Sequence, residues 1–175
     1  MTKIKHRFSN HKIDPKTETL IIGTFNPETS KNSADFFYGR QRNFLWTLIP
    51  HSFGEESLKE KPKDEKIKFI QRHKIDFIDI ISEVDVDEVS NYDDAYLDNK
   101  VTIWKDIITE IKNLQNIKRI CVTRKTFNDV PNIKAQVNLI KEFCDSKNIF
   151  ISFLPTPARF YNQNKQDSWT EFFVK

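Results

Sequence analysis

The sequence predicts an α/β fold: one domain over residues 1-175, a three-layer α/β/α sandwich around a central, mainly parallel sheet of about four strands. Three observations carry this. Short apolar runs such as "LIIG" and "ICVT" lack the in-out alternation of a half-exposed sheet, as expected for parallel strands covered on both faces. Between them lie segments with helical apolar spacing, and strand and helix alternate along the chain. A chain of 175 residues with 38% hydrophobic and 13% aromatic content is long enough for one full core and short for two.

The first strand is Leu20-Ile21-Ile22, closed by Gly23 and Pro27. From Asn43 the apolar residues Phe44, Leu45, Trp46, Leu48 and Ile49 follow helical spacing up to Pro50, which lacks the N–H a continuing helix needs. Residues 51 to 64 read as a charged connection. A helix is expected over about Glu65 to His73 and a strand over Ile75 to Ile81. The acidic stretch "SEVDVDEVSNYDDAYLDN" reads as solvated loop, although Asp85 and Asp87 could mimic a metal site. "VTIWKDIITEIKNL" reads as one amphipathic helix leading into the strand "IKRICVT". A helix over 132 to 146, the strand "NIFISFL" and a helix "DSWTEFF" capped by Asp167 or Ser168 complete the chain.

Composition removes several function classes. No stretch approaches the ~20 apolar residues of a membrane span, and Met1 to Asn10 lacks the apolar core of a secretory signal, so the expectation is a cytoplasmic, nucleoid-associated monomer. The two cysteines, Cys121 and Cys144, have neither metal-ligand spacing nor disulfide density. Zinc chemistry wants clustered His and Cys, and none are clustered. No GxGxxG or GxxxxGK[ST] follows the first strand, and no Ser sits on a GxSxG elbow. His6, His11, His51 and His73 read as residues of tails, connections or a helix end. The net charge of +3 suits a nucleic-acid partner without requiring one. Because the many lysines accompany abundant Ile and Asn, as in an AT-rich coding bias, the rarer arginines carry more weight.

In an open α/β sheet the ligand site lies beyond the carboxyl ends of the strands, which should bring "GTFNP", "IDIISE", "VTRKTF" and "LPTPARFYN" together. Near them stand Asn26-Pro27, "FFYGRQRN" and the proline-bracketed "LPTPA". An enzyme acting on a base must extrude it from the stack, hold it against an aromatic face and read its edge with amides and hydroxyls. Breaking the bond to the sugar further requires a positioned water and donors toward the leaving base. Phe25 offers the face, backbone N–H groups of the turn the donors, and an asparagine amide can orient the water. Prolines at 155 and 157 stiffen a turn from which Thr156, Arg159, Phe160 and Tyr161 could press into a minor groove. Each residue also has an ordinary structural use: Asn43 as a helix N-cap, Asn26 as an Asx-turn, Phe37 and Tyr38 as core, the arginines as partners of Asp35 or Asp79.

On Gly23-Thr24-Phe25-Asn26-Pro27, Phe37-Tyr38, Arg42-Asn43, Trp46 and Leu154-Pro155-Thr156-Pro157-Ala158, the sequence resembles the uracil-DNA glycosylase superfamily, closest to its hypoxanthine-DNA glycosylase and mismatch-type branch. The resemblance spans nearly the whole chain, with Asp79 and Asp93 at weaker positions. It implies a monofunctional DNA glycosylase without metal or cofactor, acting on DNA that contains a deaminated or modified base. By the resemblance Asn43 is the favoured water-positioning residue and Asn26 its competitor. Gly23, Thr24, Phe25, Pro27, Phe37, Tyr38 and Asp79 would form the base pocket. Arg40, Arg42, Arg124, Lys125 and the segment Leu154 to Arg159 would contact DNA. Arg40-Gln41 stands where the family prefers His-Pro. Alternatives are a catalytically weak or inactive module of the same fold that recognises modified DNA, and an α/β hydrolase acting on nucleosides.

Overall fold

The chain enters the fold through a short strand, Thr2–Lys5 (β1), followed by Thr19–Gly23 (β2), in which all five residues are buried. A long turn leads to the helix Leu45–Ser52 (α1), then Lys63–His73 (α2) and the buried strand Ile75–Asp79 (β3). After Ile80 the chain continues as Ile81–Val86 (β4), the short helix Asp94–Leu97 (α3), Val101–Trp104 (β5) and Ile107–Lys112 (α4). Arg119–Val122 (β6), Pro131–Ser146 (α5), Phe150–Phe153 (β7) and Gln163–Val174 (α6) complete it. This computed structural model describes every residue from 1 to 175.

The central sheet has the order β3-β2-β6-β7 and is parallel throughout, as the apolar runs predict. Its two faces separate by the strand period of two. Leu20, Ile22, Ile78, Ile120 and Val122 enter one apolar cluster with α4 and α5 residues such as Ile111 and Val137. Ile21, Ile75, Phe77 and Cys121 enter the other, with Trp46 of α1, Phe69 of α2 and Trp169 of α6. Helices on both faces make the three layers. No helix is long and apolar enough to cross a membrane.

A second sheet, antiparallel and of order β1-β4-β5, departs from the expectation. The acidic stretch read as loop is strand up to Val86, because Val84 and Val86 alternate into the core while Asp85 between them is only half-buried. "VTIW", read as the start of a helix, is a strand. Its Val-Thr-Ile run is β-branched, and the helix begins only where Asp106 accepts the N–H of Thr109 at 3.1 Å. Apolar spacing alone does not separate these two elements. The final helix starts at Asn162, whose side chain accepts from Lys165 N–H at 2.9 Å, rather than at Asp167 or Ser168. Helix α1 runs two residues past Pro50, since the Trp46 carbonyl that this proline leaves unpaired accepts from Leu58 N–H at 2.7 Å.

The passage from β3 to β4 places the site. Ile80 N–H donates to the Gly23 carbonyl and Ile81 N–H to the Thr24 carbonyl, both at 3.0 Å, as the chain crosses from one sheet to the other. The turn after β2 is therefore fixed through its carbonyls.

Candidate active site

Beyond the carboxyl ends of β2 and β3, the backbone N–H groups of Thr24, Phe25 and Asn26 make no hydrogen bond within the protein. Three successive donors left unpaired at a strand end are candidates to meet an anionic or carbonyl-bearing group. Beside them, Gly23 is approached so closely that an added Cβ would lie 2.4 Å from Asp79 Oδ1 and 2.5 Å from the Tyr38 hydroxyl. Only glycine fits there. Tyr38 reaches this position from a backbone φ of 57°, a left-handed conformation held by its neighbours: Gly39 N–H donates to Phe36 O, and the Trp46 indole N–H to Phe37 O at 2.8 Å.

The floor of the site is polar and shielded. The Tyr38 hydroxyl is buried without a hydrogen-bond partner. Burial raises its phenol well above the ordinary value, the nearby Asp79 carboxylate adds to the rise, and the Thr123 hydroxyl opposes it. Asp79 is 8% exposed and accepts from His6 Nε2 at 2.6 Å. Thr24 donates its hydroxyl to Asp94 at 3.1 Å, and Arg124 pairs with the same carboxylate oxygen at 2.8 Å. Desolvation raises the Asp94 carboxyl above the usual range, with Arg124 and Thr24 working against it. The half-buried Phe25 ring lies between His6, 5.9 Å away, and Tyr92, 6.4 Å away, and the Arg40 guanidinium sits 6.0 Å from the Tyr92 ring.

Two segments distant in sequence are joined by a short bridge. Asn43 and Ala158 form an antiparallel bridge, flanked by Phe44 N–H to Pro157 O and Arg159 N–H to Arg42 O, both at 2.8 Å. Asn43 Oδ1 accepts from Leu45 N–H at 3.0 Å, so the side chain is oriented by the start of α1. The proline loop is braced from beneath. Lys165, 7% exposed, donates to the carbonyls of Ala158 and Phe160 at 3.0 Å each and lies 3.8 Å from the Phe160 ring centroid. Trp169 donates its indole N–H to Pro155 O at 3.1 Å. Above this brace Thr156, Arg159, Phe160 and Tyr161 are exposed, and Arg159 holds a φ of 77°.

The structure redistributes several residues singled out in the sequence. Asn26 is 6% exposed, and its amide oxygen accepts from Asn32 at 2.5 Å, so it braces the turn from behind. Pro27 is buried beside it, bridged to His6. Phe37 is buried among His6, Phe8 and Phe77 beneath the site rather than along its wall. Arg124 is held by Asp94 and Asp129, so of the pair it forms with Lys125 only Lys125 projects freely into solvent. Leu154 and Pro157 are buried supports of the loop, and Pro155 and Ala158 are half-buried. Asp93 is exposed, and its neighbour Asp94 makes the contact to Thr24. Arg40, Arg42 and Arg159 are exposed and make no ion pair, whereas Arg7, Arg72, Arg119 and Arg124 are each tied to a carboxylate or carbonyl. Sequence reading missed His6, Tyr92, Asp94 and Lys165. The Asp94-Tyr92 segment lay in a presumed loop, and His6 in a presumed tail.

No family model matches the chain, and neither does any curated protein. Its fold is similar to the solution NMR structure of a "putative Uracil DNA glycosylase" from Methanosarcina acetivorans, with a TM-score of 0.66 and 20% sequence identity over 92% of this chain and 91% of the other.

Proposed function

We infer that the protein is a monofunctional DNA glycosylase of the uracil-DNA glycosylase type, hydrolysing the N-glycosidic bond of a deaminated or modified base flipped out of DNA. The observation that carries this reading is the seam between Asn43 and Ala158. It joins an amide side chain that could orient a water to a braced, arginine-bearing loop. The likeness of fold to the Methanosarcina protein supports the same reading.

The residues then divide the work. Arg40, Arg42 and Arg159 engage phosphates, and Phe160 and Tyr161 fill the gap left by the extruded nucleotide. The base stacks on Phe25. As the glycosidic bond lengthens, negative charge moves onto the base, where the N–H groups of Thr24, Phe25 and Asn26 can receive it. Asn43 orients the water that attacks the sugar carbon. Lys165, the lysine beneath the loop, is spent on the carbonyls of Ala158 and Phe160, so a Schiff base and strand cleavage are not expected. The resemblance of the Phe37-to-Trp46 segment favours the hypoxanthine and mismatch-type branch.

Duplex and single-stranded oligonucleotides carrying uracil, hypoxanthine, xanthine or 5-hydroxymethyluracil, treated with alkali after incubation, test the reading. Alkali-labile sites at the modified base are expected with at least one substrate. Tight binding with no labile site on any of them would make the protein a recognition module, and hydrolysis confined to free nucleosides would make it a nucleosidase.

A further inference from the structure

We propose that His6, carried in by β1, is a positioning residue of the site: it holds the Asp79 carboxylate by one oxygen so that the other packs against Gly23 and pins the strand end that leads into the Thr24-Phe25-Asn26 turn. The inference rests on the glycosylase reading and assigns a role to a segment that the reading does not use. His6 and Asp79 are both buried, at 7% and 8% exposure, and lie 73 residues apart. Phe8 N–H donates to His6 Nδ1 at 3.0 Å, so Nδ1 is the unprotonated nitrogen and Nε2–H is the donor to Asp79 Oδ2 at 2.6 Å. The imidazole is fixed on every side. Its backbone N–H donates to Ser82 O at 2.9 Å, its residue bridges Pro27, and its ring meets Phe25, Phe37 and Phe8.

The carboxylate therefore keeps a single orientation. Oδ2 is spent on His6, and Oδ1 stays over Gly23 beside the partnerless Tyr38 hydroxyl. An acceptor and a hydroxyl packed on one glycine fix the end of β2, and with it the turn that follows. Without His6 the carboxylate would be free to turn, and both its own acceptor and the adjacent hydroxyl would lose their alignment.

A mutant cycle tests this. His6→Phe keeps the ring and removes the donor, while His6→Gln keeps a donor near the Nε2 position. Single-turnover base release on the best oligonucleotide should fall about tenfold or more in His6→Phe, with the loss in substrate affinity rather than in the limiting rate. His6→Gln should stay within about threefold of wild type, and in an Asp79→Ala background His6→Phe should cost less than about twofold. His6→Gln as impaired as His6→Phe, or an undiminished cost in the Asp79→Ala background, overturns the proposal. Should His6→Phe fail to fold, nitrogen-15 spectra of the wild-type histidines decide the matter. A His6 Nε2–H proton shifted to low field and lost in Asp79→Ala is expected, and the Nδ1–H tautomer overturns the proposal. If the wild type releases no base at all, the glycosylase reading fails by itself. The same cycle is then read as the Kd for a fluorescein-labelled duplex with a central U:G mispair.

Discussion

Gly23 is where the smallest side chain carries the largest geometric constraint. With Asp79 Oδ1 and the Tyr38 hydroxyl 2.4 and 2.5 Å from an added methyl, Gly23→Ala must push one of two buried polar groups out of place. Overpacking of this kind costs about 1–3 kcal/mol. Urea melts should show that loss, and base release should fall far more than stability does. Asn43 separates structure from chemistry in a different way. Its side chain orients the first turn of α1 through Leu45 N–H, so Asn43→Ala should lower stability by about 1 kcal/mol. Asn43→Ser keeps a capping oxygen and should restore that stability. Both variants should lose about a hundredfold or more in base release if the amide orients the water as proposed, because neither carries it. Recovery of activity in Asn43→Ser would reduce Asn43 to a cap. Gly23 and Phe25 stand out in the sequence because the strand-end rule points to them directly, whereas Asn43 stands out only through the resemblance. Asn26 was misleading because an Asn-Pro pair looks the same whether its amide faces a ligand or, as here, Asn32.

Among the elements, the loop from Leu154 to Tyr161 shows how a proline-stiffened turn is braced further by its surroundings. Lys165 and Trp169 of α6 grip its carbonyls from below, and Arg42-Asn43-Phe44 zips to it from the side. Its prolines were visible in the sequence, but its brace was not, since a lysine buried against two carbonyls looks like any other lysine in a helix. Burial, with Arg159 adding, lowers the Lys165 ammonium from its ordinary value. The arginines make a test at this scale. Removing Arg40, Arg42 or Arg159 should each reduce the dependence of log Kd for DNA on log salt by about 0.9. Arg124→Gln should leave the slope unchanged while lowering the melting temperature, because that guanidinium already holds Asp94 and Asp129. An Arg124→Gln variant with a reduced slope would return that residue to the DNA interface. The second sheet was missed for related reasons. Acidic residues along β4 disguised a strand whose partner β1 lies far away in sequence and whose other partner, β5, reads as the start of a helix.

Across the whole molecule, the four parallel strands set the position of the site, and the antiparallel sheet closes it from one side with His6. The parallel core was readable because burial on both faces leaves continuous apolar runs. The closure was not, because it depends on pairing between β1 and β4 rather than on local pattern. The same dense core makes both cysteines inert. Cys121 and Cys144 have no exposed surface, and burial raises the thiol of Cys144 to about 11 and that of Cys121 well beyond its ordinary value. A thiol reagent at neutral pH should therefore react with neither cysteine until urea unfolds the chain, and prompt reaction in the folded state would show that the core opens locally.

Direct detection of the released base by mass spectrometry decides the central claim. The oligonucleotide that gives most alkali-labile sites would be incubated, in separate single-turnover reactions, with wild-type protein and with Asn43→Ser. Free base in step with abasic DNA from the wild type, and at least about a hundredfold less from Asn43→Ser at equal DNA occupancy, is the expected result. Saturated binding by the wild type with no free base, across uracil, hypoxanthine, xanthine and 5-hydroxymethyluracil, would contradict it.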